Sequence, residues 1–192
     1  MDLATSRKNL SEQDQGQEII SSVAMIVTLV SFGMLFATLM MGFAMFRFTS
    51  PVWPPAGMTK PSLILPSLST LCIFISSLCY FSFEKNIANK KGLIATIVLG
   101  FGFMIIQSLL WHSLKSQGIF VSSGIFPSII YAFTWIHAAH IVVALALLLW
   151  LYFSKTLTEL TPKAQLKVAN VGKFWHFLGI VWFVMFLTIF VL

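Results

Sequence analysis

The sequence predicts an all-α, polytopic membrane protein with five transmembrane helices. Of its 192 residues, 58% are hydrophobic and only 9% are charged, and the mean hydropathy is +0.91. A soluble domain carries about 25% charged residues, so most of the surface of this chain must face lipid instead of water. The apolar residues form five long runs, and each is long enough to cross a hydrocarbon core about 30 Å thick.

In chain order, residues 1–18 form a polar tail and residues 19–192 form the transmembrane domain. The apolar runs predict spans at about 19–46, 65–83, 93–111, 128–153 and 174–192. Pro51, Pro54 and Pro55 interrupt any helix after the first span, because proline lacks an N–H and clashes with the preceding turn. The remaining connections are a charged turn at 84–91, a mixed loop at 112–127 and a lysine-bearing segment at 154–173.

The cationic residues predict the orientation. Nine of the twelve lie in the tail and in the second and fourth connections, namely Arg7, Lys8, Lys85, Lys90, Lys91, Lys155, Lys163, Lys167 and Lys173. The other three are Arg47, Lys60 and Lys115. Because cytoplasmic loops carry the excess of Lys and Arg, we expect a cytoplasmic N-terminus and a C-terminus on the opposite face. The net charge of +6 is then a topology signal and gives no indication of a nucleic-acid partner.

None of the acidic residues lies within a predicted span. They are Asp2, Glu12, Asp14, Glu18, Glu84 and Glu159. Proton relays and ion-coupled transporters usually depend on intramembrane Asp or Glu, and a di-iron centre needs several carboxylates beside its histidines. The sequence therefore argues against a carboxylate-bridged metal site, an independent ion pump or a transporter. We predict no catalytic, metal or cofactor-binding site in this chain.

Two of the four histidines, His137 and His140, are three residues apart on one side of the fourth span, near the middle of the bilayer. One hypothesis is a b-type haem held between the fourth and fifth spans, but His176 lies on the order of 10 Å away along the axis. The favoured interpretation is that neutral imidazoles form hydrogen bonds between helices and fix their packing. We expect the same of Gln107 and Thr134, the other polar groups in these spans.

Several segments, in order, resemble subunit III of the haem-copper respiratory oxidases. Residues 174–182 read FWHFLGIVW, similar to that family's WHFxDxVW signature, and residues 134–140 read TWIHAAH, similar to its T-x-x-H-G-x-H. Residues 53–57 read WPPAG, which resembles the family's WPPxG segment. Leu99 and Gly100, followed by Gln107, are similar to the family's helix before the histidine pair.

The resemblance implies a non-catalytic accessory subunit in the short, five-helix bacterial form, located in the bacterial inner (plasma) membrane. Such a subunit stabilises subunit I, which holds the haem and copper, and it holds phospholipid. The residues implied in packing or lipid contacts are Trp53, Gln107, Thr134, His137, His140, Trp175, His176 and Trp182. Phe32, Leu110 and Gly179 stand where the family usually has acids, which argues against a proton-uptake role inside the membrane.

Three functions fit these observations. The first is subunit III of a cytochrome c or quinol oxidase, which the resemblance favours. The second is a related accessory subunit of another respiratory complex, such as a nitric oxide reductase, and the identity of the co-purifying subunits separates it from the first. The third is a small b-haem membrane protein, indicated by a Soret band that His140→Ala abolishes.

Overall fold

The computed structural model of the protein describes residues 2–49, 63–154 and 161–191, with side chains from Gly16 onwards except that of Pro162. Within these residues the five long helices are α1 (Asp2–Thr49), α2 (Ile64–Lys85), α3 (Lys91–Ser116), α4 (Ile125–Phe153) and α5 (Pro162–Phe186). A π-helical turn, Leu187–Val191, continues α5. All five helices are long and apolar enough to cross a membrane, so the predicted all-α fold with five spans is confirmed. The predicted Trp53 segment lies outside the described residues, and the orientation stays a prediction.

The helices extend further than the apolar runs that predicted them. Helix α1 begins at Asp2, so the polar tail continues the first span as helix. Helix α3 ends at Ser116, which places His112 inside it, and α4 begins at Ile125, before Pro127. Hydropathy marks where a helix meets water, whereas the helix itself continues until its terminal N–H and C=O groups are capped.

Helix α5 shows the largest difference, because it begins at Pro162 and not at the predicted Phe174. Thr161 caps it, since its Oγ1 accepts a hydrogen bond from the N–H of Ala164 at 3.2 Å. Proline suits the first helical position, where its missing N–H would have no partner. The added turns bury one face at Ala164, Val168 and Val171 and expose three lysines on the other, Lys163, Lys167 and Lys173.

Helix α5 is the central element, because it packs against α1, α2 and α4, while α3 packs between α2 and α4. Two hydrogen bonds tie its first half to its neighbours. Tyr80 Oη on α2 donates to the carbonyl of Val168 at 2.8 Å, and Asn170 Nδ2 donates to Ser21 Oγ on α1 at 3.2 Å. The core therefore lies around α5.

Glycines shape the connections on either side of α3. A Cβ on Gly92 would lie 2.7 Å from the carbonyl oxygen of Cys79, so glycine lets α2 and α3 approach backbone to backbone. At the other end of α3, Gly118 has φ +75° and Gly124 has φ +144°, backbone conformations that residues with a Cβ rarely adopt. A 3₁₀ turn, Val121–Ser123, lies between these two glycines.

Candidate functional site

Three aromatic rings surround His137, which is 0% exposed. Phe36 of α1, Phe103 of α3 and Trp182 of α5 have ring centroids 6.0, 5.9 and 5.3 Å from the imidazole. Trp182 also meets Phe103 at 5.0 Å, with the rings nearly perpendicular. These four side chains, here called the aromatic cluster, join α1, α3, α4 and α5 at one level of the bundle.

Hydrogen bonds between helices support this level of the core, but not all the expected ones form. Trp111 Nε1 donates to Thr134 Oγ1 at 3.0 Å, and Trp182 Nε1 donates to Thr70 Oγ1 at 3.1 Å. Gln107 and His137, by contrast, are buried without a hydrogen-bond partner among the described residues. The expected interhelical hydrogen bond is thus present for Thr134, whereas Gln107 and His137 form none with the residues that the structure describes. The rings of the cluster exclude polar partners from the imidazole.

His140, one turn further along α4, packs against α1. Its ring lies 4.4 Å from that of Phe32, edge to face, and 5.6 Å from that of Phe36. The Nδ1–H donates to the carbonyl of Ile136, its own helix, at 2.7 Å. His140 therefore connects α4 to α1 through ring contacts rather than through a hydrogen bond between helices.

His176 has a different environment, in the seam between α2 and α5. Its Nδ1 shares a hydrogen bond with Ser77 Oγ, and its ring stands edge to face with that of Tyr80 at 5.8 Å. Its Nε2 lies 3.9 Å from a carboxylate oxygen of Glu84. On α5, His176 precedes Trp182 by six residues, about 9 Å along the axis. The histidines of α4 and α5 thus face different neighbours, an arrangement that does not favour shared haem ligation.

Glu84 lies in the last turn of α2, one residue beyond the predicted second span. The predicted charged turn begins at Glu84, but α2 continues to Lys85 and Asn86 caps it by donating its N–H to the carbonyl of Phe83. The carboxylate is half-buried and rests on the backbone of α5. A Cβ on Gly172 would lie 2.2 Å from Glu84 Oε1 and 2.5 Å from Tyr80 Cε1. Glycine at 172 therefore provides the space that this carboxylate occupies.

Comparison with known proteins identifies the family. A sequence model described as cytochrome c oxidase subunit III matches residues 15–192. The chain belongs to the cytochrome c oxidase subunit III family. This match includes the described parts of all five spans and both of the histidine-bearing motifs discussed above.

Relatives within this family come from several kinds of organism. Cytochrome c oxidase subunit 3 of Synechocystis is 24% identical over 184 residues, which cover 92% of this chain and 78% of that protein. A probable cytochrome c oxidase subunit 3 of Mycobacterium leprae is 29% identical over 180 residues, covering 88% and 86%. Cytochrome bo(3) ubiquinol oxidase subunit 3 of Pseudomonas putida is 26% identical over 144 residues, covering 72% and 70%.

The resemblance implies acids at the positions of Phe32, Leu110 and Gly179, and the structure shows what surrounds each of these residues. Phe32 packs on His140, and Leu110 is buried in the core at 3% exposure. Gly179 lies beside Ile73, with 3.9 Å from its Cβ position to Ile73 Cγ1. Phe32 and Leu110 thus make packing contacts, and Gly179 lines an apolar cavity between α2 and α5.

Sequence reasoning missed several residues that build these sites. Phe36 and Phe103 complete the aromatic cluster, and Ser77 and Gly172 position His176 and Glu84. None stands out in an apolar run, because phenylalanine, serine and glycine are common in membrane helices. The one usable signal was Glu84, the acid that directly follows the second predicted span. Within the described residues, no three His, Cys, Asp or Glu side chains cluster as a metal site requires, and the absence of a cofactor stays a prediction.

Proposed function

We propose that this chain is the non-catalytic subunit III of a haem-copper terminal oxidase, which packs against the haem- and copper-bearing subunit I, stabilises it and holds phospholipid. The observation that carries the proposal is the family match over residues 15–192. Oxygen reduction and proton pumping then occur in partner subunits. The proposed location is the inner membrane of a bacterium.

The packing of the motif residues supports a structural role. Trp175, Trp182 and His137 are 1% exposed or less, so all three are packed inside the bundle. Rings in this arrangement hold four helices in register. Relatives include subunits of both cytochrome c and ubiquinol oxidases, and donor docking belongs to other subunits in this proposal.

Affinity purification in mild detergent tests this function directly. We expect a larger oxidase to co-purify, with haem and copper in its other subunits and cyanide-sensitive oxygen consumption. After separation from all partners, the chain should show no Soret band. Co-purification with a nitric oxide reductase would contradict the oxidase assignment and would support the second hypothesis, an accessory subunit of another respiratory complex. A stoichiometric haem on the separated chain, abolished by His140→Ala, would overturn the accessory role.

A further inference from the structure

The polar end of the seam between α2 and α5 places an imidazole opposite a carboxylate. His176 Nε2 lies 3.9 Å from Glu84 Oε2, and the two side chains are 29% and 25% exposed. Both residues line a cavity of about 680 Å³ at the end of α2. Because the pair is partly exposed and borders this cavity, protons from the aqueous side reach the imidazole.

A neutral imidazole leaves one nitrogen of His176 without a partner. Its Nδ1 shares a hydrogen bond with Ser77 Oγ, whereas its Nε2 has no hydrogen-bond partner among the described residues. If Nδ1 carries the proton, the lone pair of Nε2 faces a negative oxygen of Glu84. If Nε2 carries it, the acceptor is 3.9 Å away, beyond the reach of about 3.2 Å for an N–H···O hydrogen bond. Neither neutral tautomer therefore satisfies both ring nitrogens.

A second proton on the ring changes both contacts. The imidazolium carries an N–H on each nitrogen, so Nδ1 donates to Ser77 Oγ while Nε2 donates to the carboxylate of Glu84. A charge-assisted hydrogen bond of this kind is about 2.8 Å long, which requires the two side chains to approach by about 1 Å. Glu84 lies in the last turn of α2, and rotation about its side-chain bonds provides that movement without a shift of either helix.

We propose that His176, Glu84 and Ser77 form a pH-sensitive clasp that stabilises the α2–α5 seam when the imidazole is protonated. Histidine is the side chain whose charge changes between pH 8 and 5, so the clasp responds within the physiological range. The closed seam offers the imidazolium a carboxylate that the open seam does not, so the closed state binds the proton more tightly. The stability of the seam therefore rises as the pH falls from 8 to 6. This inference goes beyond the proposed function and requires no particular partner.

The other charges around the clasp do not replace either partner. Lys85 and Lys173 line the same cavity and disfavour a third positive charge, but both are exposed, so salt and water screen them. Within the described part of the chain, neither lysine nitrogen is within 4.0 Å of the carboxylate of Glu84. No charged side chain of α1, α3 or α4 is among the described residues that line the cavity. Tyr80, which packs on the ring of His176, already donates its hydroxyl to the backbone of α5.

The position of the clasp determines what it controls. The carboxylate of Glu84 lies against Gly172, and Tyr80 Oη bonds the carbonyl of Val168 at 2.8 Å. The last turns of α2 are thus in contact with the first turns of α5, which precede His176 and carry exposed lysines. An open clasp removes one of the polar contacts between these turns, so the pH on this side of the membrane sets how firmly the start of α5 is held.

Hydrogen–deuterium exchange with mass spectrometry tests the clasp in the purified assembly that contains this chain. After correction for the intrinsic effect of pH on exchange, backbone protection at the end of α2 and the start of α5 should be about fivefold higher at pH 6 than at pH 8. This ratio corresponds to one partly exposed charge-assisted contact. Peptides from the middle of α4 should show no such change. Equal protection at the two pH values, or lower protection at pH 6, would overturn the proposal.

Two variants separate the clasp from other effects of pH. Glu84→Gln and His176→Gln should each bring the ratio of protection at pH 6 and pH 8 close to one. Glu18→Gln and His112→Gln are the matched controls, because they remove a carboxylate of α1 and an exposed imidazole of α3, and both should keep the fivefold ratio. If His176→Gln does not assemble, the nearly isosteric Glu84→Gln decides alone. A pH response that survives Glu84→Gln would contradict the clasp.

Nitrogen-15 NMR of the full chain with labelled histidine detects the proton itself. The chain has four histidines, and loss of a signal in His176→Gln assigns the ring. The imidazolium signal of His176 at pH 6 should be stronger in the wild type than in Glu84→Gln, and its absence from the wild type would overturn the proposal. These results do not depend on whether the co-purifying subunits form an oxidase, so failure of the clasp and failure of the proposed function are distinguishable.

Discussion

His137 and His176 both come from family motifs and both lie within spans, yet their surroundings differ in kind. His137 is enclosed by Phe36, Phe103 and Trp182, and neither ring nitrogen has a hydrogen-bond partner among the described residues. His176 is 29% exposed, shares a hydrogen bond with Ser77 and faces a carboxylate. The same residue type thus acts as a packing ring at one site and as a polar group at the other.

The largest expected effect is on the aromatic cluster. Trp182→Ala removes a 0% exposed ring that contacts His137 and Phe103, and it removes the donor to Thr70. We expect a loss of about 3 kcal/mol in unfolding free energy, measured by SDS titration in mixed micelles. Trp135→Ala is the control, because Trp135 is 59% exposed and stacks only on Trp111 among described rings, a contact of about 1 kcal/mol. Equal losses would mean that the cluster does not hold the bundle.

The next effect concerns the seam that holds His176. Gly172→Ala places a Cβ against Glu84 Oε1 and 2.5 Å from Cε1 of Tyr80, so a ring that is 0% exposed must move as well as the carboxylate. Overpacking of this kind costs about 2 kcal/mol. Gly42→Ala has open space at its Cβ and should be neutral, or gain up to about 0.5 kcal/mol from helix propensity. Similar unfolding midpoints for the two variants would show that α2 and α5 are loosely packed at Gly172.

Replacing each histidine with leucine should give effects of opposite sign. His137→Leu removes a buried imidazole without a described partner and should raise the unfolding free energy by about 1 kcal/mol. His176→Leu leaves Ser77 without its partner and should lower the unfolding free energy by about 1 kcal/mol. The same SDS titration measures both. A marked loss with His137→Leu would contradict the inference that this imidazole is buried without a stabilising polar partner.

The smallest effect isolates one hydrogen bond. Ser77→Ala removes the partner of His176 and should cost about 0.6 kcal/mol, the average for hydrogen bonds between membrane helices. Ser108→Ala is matched, because Ser108 Oγ donates only to the carbonyl of Met104 in its own helix among the described groups. Its unfolding midpoint should remain at the wild-type value. Equal unfolding midpoints for Ser77→Ala and Ser108→Ala would show that the hydrogen bond to His176 adds no stability, and His176 would then not differ from His137 in this respect.

The sequence predicted the five helices because the bilayer leaves a spanning segment few alternatives, since each backbone N–H and C=O must be satisfied within it. Helix ends were harder to predict. At the end of the second span hydropathy falls at Glu84, while α2 continues to Lys85. At the start of the fifth span hydropathy rises only at Phe174, while α5 already begins at Pro162, after the cap of Thr161. Local capping decides those ends, and hydropathy does not report it.

The sites were only partly predictable for a related reason. The resemblance implied packing or lipid contacts for His137, Thr134 and Trp182, and all three are buried. Which of them finds a hydrogen bond depends on the rotation of the facing helix. Thr134 meets Trp111, whereas His137 meets three aromatic rings. The role of Gly172 was not visible because it concerns space for a carboxylate 88 positions earlier in the chain.

The central position of α5 has a consequence for biogenesis. The helix that contacts α1, α2 and α4 follows all of them in the chain, so the ribosome delivers it after them. Until it inserts, the rings of Phe36, Phe103 and His137 lack Trp182, and the carboxylate of Glu84 has no backbone to rest on. The first four helices thus enter the bilayer before the helix that packs against three of them, and insertion of α5 completes the contacts around Trp182 and Glu84.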